Sequence, residues 1–475
     1  MNGRVLQLEA PSRALLWSEL VATIEDYINR VDELPVWRDV HLADVRAFVE
    51  QIDFERPQEP VAALRFAAEG LTRYQIHFSS PRYFGLFDPE PSTMSIAADA
   101  LVAAINPQLA AWIGSPFGVE TERRLVRLFG ERFGYLAAAT DGTFTSGGAE
   151  ANHTALLTAL VHAFPEAVAG GIRALPAQPV LYLSEEGHPS VLKAARLTGL
   201  GEASVRRLPA DKLLRLRSGV LAEVIARDRS DGFAPFMVVA TAGTTSSGSI
   251  DPLGEIADLA TAERLWLHVD AAWGGGAAFL PELRATLGGI ERADSITFDP
   301  HKLLSVSMGA GLYLTRHPDV LDKTFHIGAP YLPVPGEVVD PYTHSLQWSR
   351  RFIGLKVFLS LAVAGWDGYA TVLRHQVAMG DRLRQNLQRS GWQILNETPL
   401  PLVCFNDPGG VAPQQIVDRV NATGRARLFV TTISPGRSVV RACITNFRTG
   451  PDDIDELIRL LDDARLQRAD VPPSG

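Results

Sequence analysis

Hydrophobic spacing divides the chain into three stretches. In the first, Leu15, Leu16, Leu20, Ile24 and Ile28 recur at helical spacing, which predicts an amphipathic helix over Arg13–Arg30. A second helix is expected over Val61–Tyr74. Between 81 and 94, Pro81, Tyr83, Phe84, Phe87, Pro89 and Pro91 predict an ordered loop. From about residue 95, short apolar runs alternate with helical ones. The runs Val180–Leu183, Phe236–Thr241, Leu265–Val269, Ser295–Phe298 and Gly311–Leu314 read as strands. Helices Ala149–Phe164, Pro189–Thr198 and Leu253–Glu263 lie between them. This alternation implies an α/β fold with a mostly parallel central sheet and helices on both faces. A long apolar helix at Phe352–Ala364 then leads into strands at Leu402–Asn406, Leu428–Thr432 and Val439–Ile444, closed by a helix at Ile454–Ala464. The expected domains are an N-terminal helical interface segment (1–94), a large α/β domain (95–374) and a small α+β domain (375–475).

Composition narrows the class of partner. The chain has 475 residues, 46% apolar and 21% charged, which is enough for several packed units around a large core. Its net charge of −9 and lack of a basic block argue against nucleic acid or an anionic membrane as partner. No long apolar run or secretory leader is evident, so a cytoplasmic protein is the expectation. Cys404 and Cys443 lie in strand-like runs and read as buried free thiols. No metal site is expected.

Two motifs then suggest specific chemistry. His268-Val269-Asp270-Ala271-Ala272-Trp273 puts a carboxylate at the end of one apolar strand, and Thr297-Phe298-Asp299-Pro300-His301-Lys302 puts a lysine just past the next. Ligands of doubly wound sheets sit at such strand ends. A lysine able to form a Schiff base, with an acid to pair a pyridinium nitrogen, is how a protein holds pyridoxal 5'-phosphate (PLP). The small Ala272 leaves space beneath a flat ring. Thr145-Ser146-Gly147-Gly148-Ala149-Glu150-Ala151-Asn152 opens a helix whose first N–H groups could grip phosphate, although Ser146 as a plain cap reads equally well. His188, at a strand-to-helix turn, could stack on the cofactor. Thr241-Ala242-Gly243-Thr244-Thr245 could bond it or simply cap a loop.

With these motifs in order, the chain resembles the group II PLP-dependent decarboxylases, which include aromatic amino acid, histidine and glutamate decarboxylases. The resemblance runs from about residue 15 to 465. It implies fold type I and a homodimer with active sites at the subunit interface, acting on a small-molecule amino acid. By resemblance, Lys302 is the Schiff-base lysine, Asp270 the partner of the pyridine nitrogen, Ala272 the residue beneath the ring and His188 the one above it. Gly148 and Ala149 match the phosphate-gripping turn, and Thr245 and His301 lie close to cofactor and substrate. Arg441 matches an arginine near a substrate carboxylate. Tyr331, in the proline- and glycine-rich segment that follows Gly328, matches a lid tyrosine that protonates the substrate carbon after CO2 leaves. Relatives that make aldehydes tend to carry phenylalanine there, so Tyr331 favours simple α-decarboxylation.

Some positions depart from the family. Ser80-Pro81 stands where His-Pro is common, and Asp299 replaces a common asparagine, adding an acid near the phosphate. The wall that is bulky in aromatic decarboxylases is here Leu86, Pro89, Gln108, Leu109 and Ala110, which weakens the case for an indole or catechol substrate. Gln108 and Ala110 suit a small or polar side chain. The alternatives on the same fold are oxidative decarboxylation to an aldehyde, a carbon–carbon lyase reaction, or a non-catalytic protein that has lost its cofactor residues.

Overall fold

The computed structural model describes residues 6–328 and 338–466. Its main sheet has seven strands: β1 (Asp141–Thr145), β2 (Pro179–Ser184), β3 (Val205–Leu208), β4 (Ala234–Thr241), β5 (Trp266–Asp270), β6 (Ser295–Phe298) and β7 (Gly311–Thr315). Their order is β1-β7-β6-β5-β4-β2-β3. The pairs from β6 through β3 are parallel, whereas β7 runs antiparallel to both β1 and β6. Sequence spacing misses the edge strands β1 and β3. Asp141-Gly142-Thr143-Phe144-Thr145 has one large apolar residue, and Val205-Arg206-Arg207-Leu208 is half charged, as edge strands often are.

Helices cover both faces of the sheet. On one, the helix Gly148–Ala163 packs Ala151, Ala155, Leu156 and Ala159 against Met237, Val239 and Trp266. On the other, Leu125, Phe129 and Phe133 of the helix Pro116–Phe133 join Leu267, Val269, Ile296 and Phe298. That second helix is not evident from spacing, because Arg123, Arg124, Arg127, Glu131 and Arg132 dilute its apolar stripe. The helices Thr93–Ile105 and Ser218–Ser230 are missed as well.

The helix Gly354–Arg389 joins this body to a smaller unit. It breaks at Gly365 (φ 64°), one residue past the end expected at Ala364, and the boundary expected at 374/375 falls inside its second half. Positive φ favours glycine, which explains the residue at the break. The smaller unit is an antiparallel sheet of β8 (Gln393–Ile394), β9 (Leu402–Asn406), β10 (Phe429–Ile433) and β11 (Arg437–Cys443), ordered β10-β11-β9-β8. Leu383, Leu387, Phe405, Ile416, Val440, Leu457 and Leu461 form its core. Cys404 and Cys443 are buried and free, and burial pushes both thiols up to about 12.

At the N-terminus, the helix Ala10–Arg30 has no buried residue over its 21 positions. Among the described residues no helix is long and apolar enough to cross a membrane.

Candidate active site

Strand register builds the site. Thr241 of β4 is paired with Asp270 of β5, and Asp270 with Thr297 of β6, so three polar side chains stand together at the carboxyl ends of parallel strands. Asp270 is 5% exposed. A buried carboxylate needs hydrogen-bond donors, and it receives them. Asn152 Nδ2 donates to Oδ2 at 2.8 Å and the Ala272 N–H to Oδ1 at 3.1 Å.

Asp270, Ala272, Gly148, Ala149, His188, Thr245 and Lys302 line one pocket, together with Asn152, Thr241, Gly243, Trp273 and Asp299. The chain therefore brings together most of the residues singled out from sequence. Lys302 Nζ lies 2.9 Å from Asp299 Oδ2 and 5.7 Å from the centre of the Phe87 ring. The acid that departs from the family's asparagine thus faces the lysine, while its other oxygen has no partner. His188 keeps an open face at the pocket, yet enough protein surrounds it for desolvation to pull its pKa down, aided by Lys302 and opposed by Asp270. His301 is buried beside the pocket, 3.9 Å from Asp299 Oδ2, with Nδ1 2.7 Å from the Ala310 carbonyl. Burial also lowers its pKa.

Arg441 reaches the site from β11 of the small sheet and is 1% exposed. Its Nε donates to the Thr245 carbonyl at 2.8 Å, Nη1 to the Gly85 carbonyl, and its guanidinium lies 4.8 Å from the centre of the Phe87 ring. Nη2 is buried without a partner. Gln108 is not brought in: it is exposed and donates to Ser349 Oγ at 2.9 Å, away from the pocket of its own chain. Tyr331 lies outside the described residues.

The pocket suits PLP. Ser146 does not cap the helix Gly148–Ala163; its hydroxyl donates to Glu150 Oε2 at 2.7 Å, and the cap residue Gly147 has no side chain to offer. The first helical N–H groups are left for an anion. A Cβ on Gly148 would come within 2.8 Å of Asp299 Oδ2 and 3.3 Å of the Ala272 Cβ, so only glycine keeps that wall open. Thr241 Oγ1 and Trp273 Nε1 line the pocket, buried and without partners.

The model of the pyridoxal-dependent decarboxylase conserved domain matches residues 50–407. The chain belongs to the pyridoxal-dependent decarboxylases. This decarboxylase is 29% identical to the aromatic-L-amino-acid decarboxylase of Bacillus atrophaeus, over 95% of each chain. It is 32% identical to the L-2,4-diaminobutyrate decarboxylase of Rhizobium meliloti, over 77% of this chain and 74% of that one. The crystal structure of Oryza sativa TDC with PLP and tryptamine superimposes with a TM-score of 0.91 at 25% identity, covering 97% of this chain and 99% of that one. The protein is accordingly a PLP-dependent carboxy-lyase of fold type I that acts on an amino acid.

Two residues of the decarboxylase site escaped the sequence reading. Asn152 was only the last residue of a glycine-rich motif, and its role depends on a neighbouring strand. Asp88, in the loop after Phe87, is half-buried; desolvation raises its pKa, opposed by Tyr83, His301, Lys302 and Arg441. A signal for the first lay in the alternation Trp266-x-His268-x-Asp270 beside Ser295-x-Thr297, which puts five polar or polar-tipped side chains on one buried face.

His268, fully buried on that face, has its pKa lowered to about 4 by desolvation. The unfolded chain takes up its proton near the ordinary value of about 6.5 and the folded one does not, so this group removes stability as pH falls from 6.5 to 4. The loss amounts to about 3 kcal/mol at the low end of that window. In denaturant unfolding, the stability difference between the wild type and His268→Gln should shrink by about this amount between pH 7 and pH 4. A pH-independent difference would show that His268 is not held neutral.

Proposed function

We propose that this decarboxylase removes the α-carboxylate of an L-amino acid and returns the corresponding amine. The reading is carried by the pairing of Lys302 and Asp270 in one pocket at the carboxyl ends of β5 and β6. Bound PLP supplies the electron sink for the bond that breaks. Lys302 is the covalent anchor for its aldehyde. Asp270 would accept the pyridine N–H, and the N–H groups of Gly148 and Ala149 would take the phosphate. Ala272 would leave room under the ring, His188 would cover the other face, and Thr245 and His301 would border the ring and the substrate. Arg441 offers its unpartnered Nη2 to a carboxylate. Tyr331 supplies the proton that replaces CO2 at Cα.

The substrate side chain is small or polar in this reading. Leu86 and Pro89 stand where bulky groups would grip an aromatic ring, and Asp88 adds a half-buried carboxylate near Lys302 and Arg441. An amine-bearing side chain, of the kind named for the Rhizobium relative, would find a counter-ion there. Gln108 fits as a residue lent to a partner's pocket. A homodimer suits the exposed Leu15, Trp17 and Val21 of the first helix. It also suits the apolar cavity of about 440 Å³ that Leu20, Ile24, Ile28, Leu64 and Leu71 help to line.

Four measurements test these assignments. Lys302→Ala should bind PLP without a borohydride-reducible link and lose turnover by at least about a thousandfold; unchanged turnover would sink the role of Lys302. A panel of amino acids, including diaminobutyrate, histidine and the aromatic ones, should yield by mass spectrometry a product lighter by CO2 that keeps its amine. Tyr331→Phe should cut amine yield about a hundredfold and divert product to aldehyde, ammonia and peroxide with uptake of O2. Aldehyde from the wild type would overturn the simple decarboxylation. Finally, sedimentation should give a dimer that Trp17→Glu with Val21→Glu dissociates; a wild-type monomer would refute the shared site.

A further inference from the structure

Behind the pocket runs a polar chain that none of these roles uses, and the direction of each of its hydrogen bonds can be derived. An indole N–H only donates, so Ser295 Oγ accepts from Trp266 Nε1 at 2.8 Å. At the far end an ionised carboxylate only accepts, so Asn152 must turn Nδ2 toward Asp270 Oδ2, at 2.8 Å. The second amide proton goes to Ser190 Oγ, also at 2.8 Å. Asn152 Oδ1 then faces Thr297 Oγ1 at 2.7 Å and His268 Nε2 at 3.1 Å, and both must donate to it. His268 is neutral, so with its proton on Nε2 it accepts at Nδ1 from the Ser295 hydroxyl at 2.8 Å. The Asp270 end therefore sets the polarity of the chain, and the indole N–H at the other end is compatible with it, since the Ser295 hydroxyl can accept from Trp266 while it donates to His268.

The consequence falls on His188. Ser190 Oγ already accepts from Asn152, so its own proton is free for His188 Nδ1, 2.8 Å away. The Ser190 backbone N–H approaches the same nitrogen at 3.2 Å. Nδ1 is thus an acceptor, and a neutral ring must carry its proton on Nε2. We propose that Asn152 and Ser190 are positioning residues that hold His188 as its Nε2–H tautomer and tie that choice to the ionised carboxylate of Asp270. The residue that would pair the pyridine nitrogen and the one that would cover the ring are then set by one amide. Its orientation is fixed from behind by His268 and Thr297.

The catalytic meaning of this chain rests on the decarboxylase reading, but the tautomer belongs to the protein without cofactor and can be read there. Ring nitrogen shifts of 15N-histidine-labelled apoprotein, with the His188 signals assigned by their loss in His188→Gln, should show an unprotonated Nδ1 and a protonated Nε2 at neutral pH. Ser190→Ala should mix the tautomers and raise the His188 pKa, since a bond that favours the neutral ring is gone. Ser190→Thr, which keeps the hydroxyl, should restore both. In the PLP-loaded enzyme, Ser190→Ala should move the acid limb of kcat/KM to higher pH by about one unit. A protonated Nδ1 in the wild type, or ring shifts unaltered by Ser190→Ala, would overturn the proposal. The wild-type tautomer is read with Asn152 and Ser190 unchanged, and only the assignment uses His188→Gln. Failure of the decarboxylase reading would look different: no amine from the loaded enzyme, with the tautomer results intact.

Discussion

The active site depends on meeting the hydrogen-bond needs of one carboxylate, Asp270, buried inside a closed α/β layer. Burying a charge costs several kcal/mol unless donors meet it, and β5 alone cannot supply them, because its backbone groups are used by the sheet. One donor comes from the turn that follows, through the Ala272 N–H. The other comes from a different element, through Asn152 on the helix Gly148–Ala163. That helix must therefore lie close across β5, β6 and β7. Small residues permit the approach. Ala151, Ala155 and Ala159 line its sheet side, and a Cβ on Gly311 would come within 2.6 Å of the Gly147 backbone. The same close seating brings the uncapped helix start to the pocket, where an anion can be met by its N–H groups.

A second buried acid, Asp299, shares the pocket and sets its charge balance. It is 1% exposed, with Lys302 on one oxygen and nothing on the other. A neutral asparagine at this position would not pair with the lysine as an ion. Here Lys302 Nζ has a carboxylate partner within the protein, 2.9 Å away. The pocket thus holds two acids with different company, one bonded to neutral donors and one to a cation.

The small sheet also contributes to the site. Arg441 on β11 crosses to the large unit, where the carbonyls of Thr245 and Gly85 and the face of Phe87 hold its guanidinium. Phe87 in turn stacks on Trp273, with ring centres 4.4 Å apart. The proline-rich loop at 81–91 is thereby clamped between the two units, although it has no helix or strand of its own.

Much of this was readable from sequence. Alternating apolar runs gave β2, β4, β5, β6, β7 and the helices between them, because strands buried on both faces are nearly continuous in hydrophobicity. Asp270 and Lys302 were identifiable together, because an acid ending one apolar strand and a lysine just past the next is the pattern that holds PLP. Edge strands and charge-diluted helices were not, since their apolar signal is shared with neighbours that only folding supplies. Tertiary structure alone decided which partners the polar groups have. The spacing of Asn152, Ser190, His268 and Ser295 along the chain says nothing of their contact, because hydrogen bonds are made at about 3 Å and only the packing of a helix on a sheet brings such distant residues within that reach. It also left Gln108 outside its own chain's pocket and turned Asp299 toward Lys302. The sequence determined which chemical groups the site contains; the fold determined which of them are paired, neutral or charged, because burial and hydrogen-bond geometry exist only once the layers have closed.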